Sequence, residues 1–126
     1  MQTFLKGLWY NAEYESFRVD SEANLYKLRV SGYRGNAGDS LANITSGLLT
    51  IQTGMNFSAY ESDNDMNDVG SCSAIYNNAG WWFNDCSYSC LTCMNGLSNF
   101  AWYSLNTYGF QNQGRLRAAR MMIRSL

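Results

Sequence analysis

The sequence predicts a single α+β domain in two unlike parts, an antiparallel sheet region over about residues 9–60 and a loop-rich region over about 61–114. Two observations carry this prediction. Phe17 and Val19 alternate with Arg18, and Tyr26, Leu28 and Val30 alternate with Lys27 and Arg29 across the polar turn Asp20-Ser21-Glu22-Ala23-Asn24. Period-two alternation on both sides of a short turn is the signature of a β-hairpin. From residue 61 onward no strand or helix period is sustained, only Asn, Gly, Ser, Asp and aromatics. An aperiodic stretch of that length is normally held by ions, crosslinks or a binding role.

The remaining elements follow in order. Residues 31–40 hold three glycines, Gly32, Gly35 and Gly38, and are expected to form a loop that uses positive φ. Met55, Phe57 and Ala59 alternate with Asn56 and Ser58, which predicts a second strand running into the acidic loop. The tail, Leu116 to Arg124, has the propensity of a short helix and is also compatible with a strand.

Composition excludes several classes of function. The chain has 126 residues, one domain's worth, with nine basic and ten acidic side chains and a formal charge of −1. That balance creates no field to gather nucleic acid or an anionic membrane. No stretch approaches the length of a membrane span. Histidine is absent, which removes imidazole bases, serine–histidine triads and histidine metal ligands. No catalytic residues are expected.

All four cysteines, Cys72, Cys86, Cys90 and Cys93, lie in the loop-rich half. An even, clustered count favours disulfides in an oxidising compartment, with three pairings open. The first residues carry no secretory signal, so the chain is expected to be a piece of a longer secreted protein or a truncated gene model. Two metal readings compete. The spacing Cys86, Cys90, Cys93 would suit an iron–sulfur cluster, and Cys72 could complete a zinc site.

Asp63-Asn64-Asp65-Met66-Asn67-Asp68 opens like an EF-hand loop but has Asp68 where glycine belongs and Ala74 where the bidentate glutamate belongs. Two carboxylates with loop carbonyls still suit calcium; the bland alternative is an acidic turn whose carboxylates cap backbone amides. Trp81, Trp82 and Phe83 read either as a wall for a sugar or acetyl group or as core. Arg115, Arg117, Arg120 and Arg124 read as a solvated edge before an anion site. Asn43-Ile44-Thr45 and Asn56-Phe57-Ser58 are glycosylation sequons, with Asn56 expected on the outward face of its strand.

These motifs together resemble the C-terminal part of a fibrinogen-like globular domain, the module of fibrinogen chains, ficolins, tachylectins, angiopoietins and tenascins. The resemblance rests on Glu15 to Val19, Tyr26 to Leu28, Gly32 to Leu41, Gly54 to Ser58, Asp63 to Asp65, Cys72, Gly80 to Phe83, Cys86, Asn95-Gly96 and Arg120 to Arg124 in family order. It spans roughly residues 9–126. It implies a twisted antiparallel sheet, then a calcium and disulfide subdomain, then a closing strand over 115–126, with the family's N-terminal subdomain missing. Exposed apolar surface is expected where that subdomain would pack.

The resemblance further implies a secreted, non-catalytic recognition module with calcium held by Asp63, Asp65 and carbonyls around Asn67 and Val69 or Gly70. It implies a Cys72–Cys86 disulfide and a cis Asp85–Cys86 peptide; Cys90 and Cys93 are not the usual family pair. The implied ligand pocket comprises Tyr76, Trp82, Phe83, Cys86 and Ser87. Ser87 stands where the family often has histidine, and Gly109-Phe110-Gln111-Asn112 lacks the family's tryptophan. The leading functional expectation is lectin-like binding of acetylated sugars in innate defence. The alternative is an extracellular protein-interaction or matrix module, and a metal-cluster protein is the remote one. Partners are then a carbohydrate, glycoprotein or extracellular protein, with oligomers possible through upstream stalks.

Overall fold

The computed structural model describes residues 1–3, 7–43, 51–87, 89–93, 100–102, 104–105 and 115–125. In chain order its elements are β1 (Gln2–Thr3), β2 (Ala12–Val19), β3 (Leu28–Gly35), α1 (Cys72–Ile75) and β4 (Leu116–Ala118). β2 and β3 form the expected antiparallel hairpin, in register from Ala12 opposite Gly35 to Val19 opposite Leu28. A 3₁₀ turn at Glu22–Asn24 joins them, followed by Leu25 and Tyr26 at φ of 53° and 52°. The Asp20 amide donates to the Lys27 carbonyl at 2.9 Å and closes the turn.

Alternation assigns the two faces. Phe17 and Val19 lie opposite Val30 and Leu28 on one side, where Leu28 is fully buried and Val30 nearly so. On the other side Ser16 lies opposite Ser31, Arg18 opposite Arg29 and Tyr14 opposite Tyr33. The two tyrosine rings sit 5.7 Å apart. Their hydroxyls reach the following loop, Tyr14 donating to Asp39 at 2.7 Å and Tyr33 accepting from the Gly38 amide at 2.7 Å. Burial and the Asp39 bond push the Tyr14 ionisation far up, so this hydroxyl stays neutral.

Three elements differ from expectation. The glycine-rich stretch is not wholly loop, because β3 continues to Gly35. Gly32 and Gly35 use positive φ inside the strand, where a Cβ on Gly32 would come within 2.7 Å of Glu15 and one on Gly35 within 2.2 Å of the Asn11 carbonyl. The freedom that reads as a loop in sequence serves close backbone approach within a strand. Residues 55–59 form no strand; Ser58 and Ala59 make only single bridges, to Trp81 and Ser62. Gly54, at φ 86°, turns the chain against the end of β3 instead, where its amide donates to Leu28 and the Leu28 amide donates to Met55. The expected alternation inverts there, since Ser58 is fully buried and accepts from the Asn64 amide at 2.9 Å.

The closing strand is shorter than 115–126: β4 covers Leu116–Ala118 and pairs antiparallel with β1. Leu116 enters the core, whereas Met122 and Ile123 beyond it are 81% and 74% exposed. Further exposed apolar side chains include Leu8, Trp9, Tyr60 and Val69. The core itself gathers Leu28, Val30, Leu41, Trp81, Phe83, Trp102, Leu105 and Leu116 from both halves of the chain. No described helix is long and apolar enough to cross a membrane.

Gly35 and Gly54 separate two costs of a side chain. Gly54→Ala meets no atom within 4 Å and is expected to lose roughly 1–2 kcal/mol through its dihedral alone. Gly35→Ala must also displace the Asn11 carbonyl, so urea unfolding should show a distinctly larger loss. Equal losses would contradict the strand-interior close approach.

Candidate functional site

The acidic loop is built from successive Asx-type turns. The Asp65 amide donates to Asp63 Oδ1 at 3.4 Å, the Asn67 amide to Asp65 Oδ1 at 2.9 Å and the Val69 amide to Asn67 Oδ1 at 2.9 Å. Asp65 uses its second oxygen to accept from the Cys72 amide at 2.8 Å, at the start of α1. Ser71 caps that single helical turn by accepting from the Ala74 amide at 3.3 Å. Asn64 fixes the other flank, donating from Nδ2 to the Phe57 carbonyl and the Ser62 hydroxyl. The bland reading of the acidic turn, carboxylates capping amides, therefore describes part of what this loop does.

Asp63 and Asp65 nevertheless lie close enough to interact. Burial raises the Asp65 pKa above the usual carboxylate value, and the neighbouring Asp63 charge adds to the rise against the opposing effect of the Asn67 and Cys72 amides. The donors here are the hard carboxylate oxygens of Asp63 and Asp65, and among the described residues no cluster of three or more acidic, cysteine or histidine ligands forms. Such oxygens suit calcium rather than a soft metal. The Val69 side chain is 97% exposed, and a Cβ on Gly70 would meet nothing within 4 Å, so side chains do not crowd that flank.

Two disulfides close the region, Cys72–Cys86 with Cα atoms 5.4 Å apart and Cys90–Cys93 at 5.5 Å. No thiol remains free, which overturns the iron–sulfur and zinc readings of Cys72, Cys86, Cys90 and Cys93. The Asp85–Cys86 peptide is cis. Asn67 Nδ2 lies 3.4 Å from Cys86 Sγ, and the Met66 amide donates to the Asn84 carbonyl at 3.0 Å. The acidic loop and the disulfide thus share one wall.

Of the five residues expected around a ligand, Tyr76, Phe83 and Ser87 lie together beside Cys86, and Trp82 lies apart. The Tyr76 ring packs on Phe83 at 5.4 Å, and its hydroxyl donates to the Ser87 carbonyl at 3.1 Å. Phe83 is fully buried, which fits the core reading of this ring. Ser87 is 9% exposed, its hydroxyl bonded to Gln52 Nε2 and to the Ser89 carbonyl. Trp82 turns away toward the hairpin. It meets Phe57 and Phe17 edge-on at 5.3 and 6.1 Å, and its Nε1 donates to the Tyr26 carbonyl at 2.8 Å. Trp81 is core, 1% exposed, and its ring lies 5.4 Å from that of Trp82, so the two adjacent indoles touch instead of pointing to opposite sides.

Sequence reasoning missed Gln52 and Asn84. Gln52 is fully buried and also donates to the Ser89 carbonyl at 3.0 Å, while Asn84 donates to the Ile51 carbonyl at 2.9 Å. Neither side chain differs in sequence from a surface amide. Asn43 is exposed, whereas Asn56 is half-buried because no strand face forms there; Ile44 and Thr45 lie outside the described residues. So do Asn95-Gly96 and Gly109-Phe110-Gln111-Asn112. Of the basic tail, Arg115 bridges Ala101 and Arg117 lies within β4.

Residues 4–124 match the family of the fibrinogen beta and gamma chains, C-terminal globular domain. The chain belongs to this fibrinogen-like family. Angiopoietin-related protein 2 of mouse is 43% identical over 75 residues, covering 60% of this chain and 13% of the relative. The fibrinogen-like globe domain of human ANGPTL2 superposes with a TM-score of 0.67 at 30% identity, covering 92% of this chain and 50% of that one. Lamprey fibrin D-dimer, complexed with the peptide Gly-His-Arg-Pro-amide, superposes with a TM-score of 0.60 at 32% identity, covering 72% of this chain and 30% of that one. The chain spans half or less of the length of these fibrinogen-like relatives. The α+β architecture, a small antiparallel sheet leading into a disulfide-closed loop region, is that of a partial fibrinogen-like globe.

Burial of Asp65, reinforced by the neighbouring Asp63, sets a pH dependence. Because Asp65 takes up a proton more readily in the folded state, calcium-free stability should fall as pH rises from the ordinary value of 3.8 through the raised folded value. Asp63→Asn removes the neighbouring charge and should shrink that fall in thermal melts at pH about 3–7. Superimposable profiles for parent and variant would show that the two carboxylates do not interact.

Proposed function

We propose that this fibrinogen-like chain is an extracellular, non-catalytic protein-interaction module whose recognition surface is ordered by calcium. The observation that carries the reading is the shared wall: Asn67 and Met66 of the acidic loop bond to Cys86 and Asn84, so order in the loop is order beside Tyr76 and Ser87. Asp63 and Asp65 would hold the ion through carboxylates, with carbonyls of Asn67 and Val69 or Gly70 filling the shell. The ion would neutralise the neighbouring Asp63 and Asp65 charges; Asp65 is held above its usual pKa chiefly by burial. It supplies loop rigidity and no chemistry.

Protein recognition is favoured over lectin-like binding of acetylated sugars by the closed state of the expected pocket. Phe83 is core, Trp82 faces the hairpin and the Tyr76 hydroxyl is spent on the Ser87 carbonyl. The lamprey relative carries a peptide, and a peptide can use backbone groups along a partly closed wall where a sugar needs convergent side-chain donors. Two disulfides support an oxidising, extracellular setting.

Calorimetric titration of calcium into the oxidised protein should show saturable binding that an Asp63→Ala/Asp65→Ala variant loses. With calcium bound, Gly-His-Arg-Pro-amide should shift the amide resonances of Tyr76, Ser87 and Asn67, and EDTA should reverse those shifts. Retention on N-acetylglucosamine beads that EDTA releases, without any response to the peptide, would return the site to the lectin reading.

A further inference from the structure

One face of the hairpin carries a feature that the calcium loop and its wall leave unused. Arg18 and Arg29 lie directly opposite each other in register, one pair along from Ser16 and Ser31. Like charges facing each other across a strand pair are destabilising unless something gathers them. Asp20 does so: its Oδ2 accepts from Arg29 Nε at 2.9 Å, and its Oδ1 lies 3.8 Å from Arg18 Nε. Two guanidinium charges therefore face one carboxylate, leaving a local surplus of one positive charge. Among the described residues no other carboxylate forms a salt bridge with either arginine.

These side chains line a groove of about 490 Å³ bounded by Ser16, Arg18, Arg29, Val30, Ser31, Thr53 and Gly54. It is an open surface depression and not an enclosed cleft, which suits a side chain laid on it and not a buried ligand. The far wall is fixed by backbone contacts, since Thr53 Oγ1 accepts from the Val30 amide at 3.0 Å and the Gly54 amide donates to Leu28 at 2.7 Å. Asp20 is itself mostly buried, with 14% of its side chain exposed, while Arg18 and Arg29 are 71% and 51% exposed. Arg29 donates from Nε to Asp20, Arg18 makes only the longer 3.8 Å ion pair, and both guanidiniums remain solvent-accessible. An accessible guanidinium presents paired N–H donors to one carboxylate.

We propose that this groove binds a single carboxylate side chain from an extended, acidic segment of a partner protein. The charge surplus of one matches a monovalent group. It does not match a polysulfated chain, whose many charges need more cations than the one left over here. Ser16 and Ser31 offer hydroxyls on the same face to the segment's polar groups. The choice of a protein partner rests on the interaction-module reading above; the groove itself does not.

The test is a nitrogen-15 NMR titration of the full chain, with calcium present, using the blocked peptide acetyl-Gly-Glu-Gly-Glu-amide and its glutamine counterpart. The glutamate peptide should shift the Arg18 and Arg29 side-chain signals and the Ser16 and Ser31 amides, and Arg18→Ala/Arg29→Ala should weaken it about tenfold, as loss of a charge-assisted contact implies. Because the double variant leaves Asp20 unpaired, Arg18→Ala alone, 71% exposed and 3.8 Å from Asp20, is the control that should retain the parent's amide spectrum elsewhere while weakening the glutamate peptide. Equal responses to the two peptides, or an unchanged affinity in the variant, would overturn the proposal. A heparin disaccharide that shifts the same signals while the glutamate peptide does not would also overturn it, by giving the groove to a sulfated glycan. Glutamate-peptide shifts confined to Tyr76, Ser87 and Asn67 would remove the groove but keep the interaction module.

Discussion

The site region hangs on one carboxylate. Asp65 accepts from Asn67 on one oxygen and from Cys72 on the other, so it joins the acidic loop, the single turn of α1 and the Cys72–Cys86 disulfide. None of these parts could persist alone: a four-residue helix is far below the length at which helices are stable in water. Its geometry is imposed from outside by Ser71, Asp65 and the disulfide. Calcium at Asp63 and Asp65 would act on the same hub, so ion binding and helix geometry share one set of bonds.

A second constraint is polar and lies inside. Gln52, Ser58, Ser73, Asn84 and Ser89 are buried among aromatic rings, and most of their bonds go to backbone carbonyls of segments without regular structure. In a region with few ladders, buried side-chain amides and hydroxyls replace the strand partners that loops lack. Gln52 Oε1 and Trp81 Nε1 have no hydrogen-bond partner among the described residues, which makes this the least satisfied part of the core. A side-chain network of this kind ties register to specific atoms, so it tolerates substitution poorly.

The hairpin was legible because alternation at Phe17, Val19, Leu28 and Val30 is a one-dimensional signal of a two-faced strand. The disulfide-rich character and the oxygen-rich loop were legible from residue type. What escaped depends on long-range geometry. Met55 to Ala59 alternates as a strand does, yet Gly54 and the buried hydroxyl of Ser58 override the pattern. Gly32 and Gly35 read as punctuation, although their neighbours across the pair require a missing Cβ. Phe83 could be assigned to core or wall only once its packing with Tyr76 was known.

The bond from Trp82 Nε1 to the Tyr26 carbonyl spans 56 positions, and the Trp102 Nε1 and Ser104 bonds to Gly38 and Ser40 span 64. The hairpin, by contrast, closes over an eight-residue connection. Contacts of such unequal span assemble in order, because large loops must be closed before distant contacts repay their entropy. A two-stranded hairpin alone is marginal in water. Leu28 and Val30 are buried in one cluster with Trp81, Phe83, Trp102 and Leu116, so the first half keeps its shape only once the disulfide-bearing half has closed over it.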